Sequence, residues 1–211
     1  MGPTEVTIAL ADHALGDVSE RTHSVLKVGD KAPTISLSGD DGKTHDVKSE
    51  GRTVVVYFYP KDDTPGCTVE AKDFSSDEAQ ARLESAGVTV YGISKDTVQS
   101  HTKFRDKHAL RVRLLSDPEL KVHAAFGAYG EKTMYGRKVM GTIRSTFVLR
   151  DGRVSHAYPT VKVPGHVETV LTALEGGTAK PPAKNETAEA PAVKRAAAKK
   201  PASKKPATKK A

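Results

Sequence analysis

Val54 to Tyr59 is an unbroken run of six Val, Tyr and Phe residues. A run of that length without polar alternation predicts a strand covered on both faces, as in the middle of an α/β sheet. Before it, KAPTISLSGDDGKTHDV (residues 31–47) alternates apolar with polar positions and breaks at Asp41-Gly42, the signature of a hairpin. Further strands are expected at Val88 to Ser94, Arg113 to Ser116, Ser145 to Leu149 and Val154 to Tyr158, the last two joined by Asp151-Gly152. Helical spacing lies between them. Ala79, Leu83 and Ala86 recur at i, i+4, i+7, and Val167, Val170, Leu171 and Leu174 form a second stripe. In SDPEL, Asp117 is expected as N-cap and Pro118 as the first residue of a short helix reaching about Phe126. Strands alternating with helices and closing on a hairpin plus helix predict an α/β layered domain.

Charge divides the chain. Residues 180–211 hold ten Lys or Arg and two acids, a net of +8, which leaves −1 of the formal +7 for residues 1–179. The tail repeats a KKPAx unit, lacks aromatic residues and has too little apolar surface to order itself, so disorder is expected. The domain reading is residues 1–24 as an extension, 25–176 as the folded domain and 177–211 as a disordered basic tail. The N-terminus has no basic n-region, and VTIAL is too short for a signal-peptide core or a membrane span. The expected location is cytoplasmic, without a membrane partner.

Cys67 is the only cysteine among 211 residues, which excludes an internal disulfide, a CxxC pair and any multi-cysteine metal site. Its neighbours carry the chemistry. In TPGC, Thr64 suits an N-cap, Pro65 the first helical position, and Gly66 allows close approach, so Cys67 falls in the first turn of a helix beyond a buried strand. Free N–H groups and the helix dipole favour a thiolate there. Thiolate formation alone gains roughly 30-fold in reactive fraction at neutral pH. Efficient catalysis also needs fixed donors for the transition state, about 10²–10³-fold for each strong one. The Thr64 hydroxyl, the Cys67 N–H and an arginine supplied by the fold are the candidates. Asp62 and Asp63 read as exposed loop acids, and His101 with His108 as a helix surface rather than a metal pair.

Pro60, Thr64 and Cys67 fit PxxxTxxC, and FYPKDDTPGCTVEAKDF (residues 58–74) resembles the bacterioferritin comigratory, or Q-type, peroxiredoxins. The likeness extends through VYGISKD (90–96), GTIRSTFVLRDGRV (141–154) and VKVPGHVETVL (161–171). The resemblance implies a thioredoxin-like fold, a central mixed sheet flanked by helices, and thiol-dependent reduction of hydrogen peroxide and organic hydroperoxides. It implies that Cys67 is the peroxidatic nucleophile, oxidised to a sulfenic acid. Thr64 would hydrogen-bond the peroxide, Pro60 would shape the pocket, Arg144 would contact thiolate and peroxide, and Glu70 would orient Arg144. No metal or cofactor is implied.

Many members carry a resolving cysteine five residues after the first, where this chain has Lys72. The sulfenic acid must then be reduced by an external thiol, either a small molecule or a thioredoxin- or glutaredoxin-like protein, or through a Cys67–Cys67 bond between subunits of a dimer. The Lys-Pro-Ala tail resembles those of histone-like bacterial proteins and suits DNA binding through residues 180–211. The rival reading is a nucleoid-type DNA-binding protein whose thioredoxin-like domain serves as scaffold or peroxide sensor.

Overall fold

The computed structural model describes residues 24–49, 51–134 and 136–176. The expectation for the basic tail falls outside the described residues, as does that for the N-terminal extension apart from residue 24. A seven-stranded sheet runs in the order β2-β1-β5-β4-β3-β8-β9. Its strands are β1 (Ile35–Gly39), β2 (Thr44–Val47), β3 (Thr53–Phe58), β4 (Val88–Ser94), β5 (Arg113–Ser116), β8 (Ser145–Arg150) and β9 (Arg153–Tyr158). β3, β4 and β5 are parallel, while β8 joins β3 and β1 joins β5 antiparallel, so the sheet is mixed as expected. Both hairpins form where Asp-Gly predicted them. Asp151 and Gly152 have φ of 49° and 73°, the pair of positive values that a two-residue turn with the strands' own twist requires.

The helices are α1 (Pro65–Ser75), α2 (Asp77–Ser85), α3 (Val98–His108), α4 (Lys121–Phe126) and α5 (His166–Leu174). β3 shows why its run is wholly apolar. Val55, Tyr57 and Tyr59 face a core shared with Cys67, Ala71 and Phe74 of α1, Leu83 of α2, Phe104 of α3 and Val170 of α5. Val54, Val56 and Phe58 face a second core with Phe126 of α4 and Phe147 of β8. Burial on both sides removes the period-2 signal and anchors the strand from which the site is built.

Three expectations are corrected. Ala86 is exposed and caps the C-terminus of α2, so its stripe buries only Ala79 and Leu83. The SDPEL helix begins at Lys121, after Leu120 adopts a left-handed φ of 57°. Asp117 caps it from farther upstream, accepting from the N–H groups of Lys121 at 3.1 Å and His123 at 2.9 Å. A two-stranded ribbon, β6 (Tyr129–Met134) with β7 (Arg137–Thr142), lies between α4 and β8 where no strand was expected. β7 is largely exposed, so no apolar alternation marks it.

Candidate active site

Two segments 77 residues apart meet at one end of the sheet. Six residues separate the last residue of β3 from the first of α1. Antiparallel pairing of β3 with β8 sets Phe58 opposite Ser145, and Arg144 immediately precedes Ser145. The end of β3 and the start of β8 therefore lie side by side at one end of the sheet, and the Arg144 side chain reaches the first turn of α1. Its Nη2 donates to Cys67 Sγ at 3.0 Å, and its Nη1 donates to Glu70 Oε2. Cys67 is 2% exposed and Glu70 is fully buried. Cys67, Glu70 and Arg144 are thus brought together, one guanidinium spanning a sulfur and a carboxylate one helical turn apart.

The electrostatics follow from burial. Removal from water pushes the Glu70 carboxyl up to about 7, against the pull of the Arg144 charge. Burial works against the Arg144 charge as well, yet Glu70 and Cys67 together hold its pKa above the ordinary arginine value. Glu70 Oε1 is buried without a partner. The segment after β9 closes one flank. Val161 N–H donates to the Arg144 carbonyl at 2.9 Å, and Val163 stands beside Gly66. A Cβ on Gly66 would lie 3.6 Å from Arg144 Nη2, an ordinary van der Waals contact, so the glycine leaves more room than close approach requires.

Thr64 stands at the N-cap position with extended backbone (φ −95°, ψ 150°) and Pro65 opens the helix, as expected. Its hydroxyl, however, caps no N–H. It donates to the Lys61 carbonyl at 3.1 Å, while the Thr64 carbonyl accepts the first helical bond from Thr68 at 2.9 Å. The Gly66 and Cys67 N–H groups belong to the turn in which a helix has no carbonyl of its own to offer. Pro60 is half-buried at the start of the same loop.

Burial overturns two expectations here. Asp63 is exposed and bonded to Lys107 and His108, but Asp62 is 6% exposed and lies within the protein. His101, expected on a helix surface, is fully buried and pairs through Nδ1 with Asp62 at 2.9 Å. Pairing across 39 positions gives no periodic signal in the sequence. Sequence reasoning also missed His166 and Lys132. His166 Nε2 lies 2.8 Å from Thr146 Oγ1, and burial together with the Arg144 charge pushes its pKa down to about 4. Lys132, on the unexpected ribbon, donates to the Thr142 carbonyl at 2.8 Å; burial, then the Arg144 charge, lowers its pKa.

The family model for AhpC/TSA matches residues 28–157. A putative peroxiredoxin of Mycobacterium tuberculosis is 47% identical over 144 residues, covering 67% of this chain and 90% of that protein. Peroxiredoxin Bcp of Bacillus subtilis is 41% identical over 153 residues, 71% of this chain and 96% of the relative. Among solved structures, the bacterioferritin comigratory protein of Xanthomonas campestris, described for its alkyl peroxide reduction activity, aligns with a TM-score of 0.63 at 40% identity. That alignment covers 69% of this chain and 92% of the other. A PrxQ mutant of Xylella fastidiosa aligns with a TM-score of 0.67 at 34% identity, over 72% and 98% of the two chains. A thioredoxin-like sheet, a cysteine at a helix start beside an arginine, and these relatives agree: the chain belongs to the AhpC/TSA family, among its Bcp/PrxQ peroxiredoxins, and is a thiol peroxidase.

Proposed function

We propose that Cys67 is the peroxidatic nucleophile for hydrogen peroxide and organic hydroperoxides, the latter in keeping with the alkyl peroxide activity described for the Xanthomonas relative. The thiolate attacks one peroxide oxygen, an S–O bond forms as the O–O bond breaks, and the departing oxygen takes up a proton to leave as water or alcohol. Sulfur gives two electrons and becomes a sulfenic acid. The observation that carries this reading is the 3.0 Å separation between Cys67 Sγ and Arg144 Nη2, in a site where Nη1 is held by buried Glu70. A donor fixed at the sulfur also lies close to the O–O bond that the sulfur attacks, whose departing oxygen develops the negative charge. Thr64 serves as acceptor, because its own proton is engaged by Lys61 and its lone pairs remain for the peroxide O–H. Pro60 shields the loop.

Regeneration uses an external thiol, since Cys67 is the only cysteine. Its sulfur displaces water from the sulfenic acid to give a mixed disulfide, and a second thiol releases the Cys67 thiolate. A thioredoxin- or glutaredoxin-like protein or a small thiol fits this role. The basic tail adds polyanion binding separable from catalysis, favoured by its net charge of +8 over residues 180–211.

The test is rapid mixing of reduced protein with sub-stoichiometric hydrogen peroxide, followed by intact mass. Fast peroxide consumption with a gain of one oxygen, absent in Cys67→Ser, is expected. Oxidation no faster than a free thiol at the same pH would refute the assignment.

A further inference from the structure

The loop between β3 and α1 is fastened by a buried cluster that the chemistry above does not use. The Asp62 carboxylate accepts from the Tyr59 hydroxyl at 2.7 Å and the Ser100 hydroxyl at 2.7 Å. His101 Nδ1 lies 2.9 Å from Oδ2 and 3.1 Å from Oδ1. His101 Nε2 is buried without a partner. With the ring proton on Nδ1, that nitrogen presents only a lone pair, and Nδ1 donates to the carboxylate. These donors hold the Asp62 carboxyl below the usual carboxylate range in spite of its burial. Asp62 N–H in turn donates to Asp96 Oδ2 at 2.8 Å, and Asp96 is fixed by the Ser94 hydroxyl at 2.9 Å.

The other side of the same peptide faces the reaction. The Lys61 carbonyl and the Asp62 N–H belong to one planar unit, so fixing the N–H fixes the direction of the C=O. That carbonyl accepts the Thr64 hydroxyl proton at 3.1 Å. We propose that Asp62, its carboxylate clasped by His101, Ser100 and Tyr59 and its N–H tied to Asp96, is a positioning residue for the peroxide step: through the Lys61–Asp62 peptide it turns Thr64 into an obligate hydrogen-bond acceptor toward the substrate. The clasp reaches the substrate only through Thr64. A threonine hydroxyl has three staggered directions, and a carbonyl held in place selects one of them before substrate arrives. Misplacing a reacting or positioning group by about 1 Å costs up to about 100-fold in rate.

The inference rests on the reading of Cys67 and Thr64 above, and a double-variant cycle separates the two. The variants, in the full reduced chain, are Thr64→Val, His101→Leu, which removes the donor, and His101→Asn, whose amide nitrogen falls near the place of Nδ1. Each is measured for the second-order rate with hydrogen peroxide and for alkylation of Cys67 by iodoacetamide, which makes no use of Thr64. His101→Leu is expected to slow the peroxide reaction about 10-fold or more while changing alkylation less than about 2-fold. His101→Asn should restore most of the rate. In the Thr64→Val background, His101→Leu should cost no further rate. Equal losses in both backgrounds, or peroxide and alkylation rates falling in parallel, overturn the clasp and leave the peroxidase reading standing. A Thr64→Val protein at full peroxide rate overturns the Thr64 role and the clasp with it. Should His101→Leu fail to fold, Ser100→Ala removes one Asp62 donor at a partly exposed position and carries the same expectations at smaller amplitude.

Discussion

Glu70→Gln changes one oxygen for nitrogen in a fully buried side chain, and its effect on stability depends on pH in a way the structure sets. The Glu70 carboxyl titrates near 4.5 in an unfolded chain and is held up to about 7 in the folded one by burial, with Arg144 only partly offsetting the cost. Between those values the unfolded chain has released the proton and the folded chain retains it. The contribution of Glu70 to stability therefore falls as pH rises from about 4.5 to about 7 and is level on either side. At 1.36 kcal/mol per pH unit the loss is about 3 kcal/mol. Glutamine does not titrate and matches the protonated acid in shape. The variant should equal the parent near pH 4.5 and exceed it by up to about 3 kcal/mol at pH 8. Urea denaturation of both proteins, kept reduced and followed by circular dichroism at half-unit steps, gives the difference curve, from which titrating groups that do not sense Glu70 cancel. A difference that stays constant from pH 4.5 to 8 would refute the reasoning.

His166 works in the opposite sense. Its pKa is depressed from 6.5 to about 4, so its neutral form supports the fold above 6.5 and that support, about 3 kcal/mol, is lost as pH falls toward 4. His166→Gln should therefore expose the Glu70 slope in the raw stability curve, and a curve unchanged from the parent would count against the depressed value. Arg144→Lys keeps a positive charge but loses the planar fork that spans Cys67 and Glu70. The peroxide rate constant should drop by about 10²–10³-fold, and a loss under about 3-fold would mean that charge alone suffices. If six to eight tail charges displace counterions from duplex DNA, log Kobs should fall with log salt at a slope near −6 by fluorescence anisotropy. Deleting residues 180–211 should abolish that binding and leave peroxide turnover intact; DNA retention by the truncated chain would reassign it to the folded domain.

Legibility in the sequence tracked how local each cause was. The β3 run and the Asp151-Gly152 turn were readable because burial on both faces and paired positive φ values impose composition directly on neighbouring residues. The first turn of α1 was readable through Pro65, whose missing N–H suits that place. The β6–β7 ribbon was not, since β7 is largely exposed and carries no apolar period. Arg144 entered through a resemblance alone. No spacing within residues 60–70 implies it, and only the register of Phe58 with Ser145 delivers it to the sulfur. Asp62 and His101 were misread because charge near a loop suggests solvent, whereas the donors that make Asp62 tolerable inside come from Tyr59 and from α3, 38 and 39 positions away.

The shared arginine also gives the site a charge inventory that changes with oxidation state. With Cys67 as thiolate and Glu70 ionised, one cation faces two anions, a surplus of one negative charge at a largely buried site. Oxidation to a neutral sulfenic acid removes one anion, and the Arg144 charge then belongs to Glu70 alone. A carboxyl poised near neutrality answers such a change by releasing part of its proton, and by linkage a protonated Glu70 favours the thiolate over the oxidised sulfur. On the proposed role of Cys67, its oxidation is thereby tied to proton occupancy one helical turn away, and the redox balance of the protein inherits a pH dependence from a carboxyl held by Arg144.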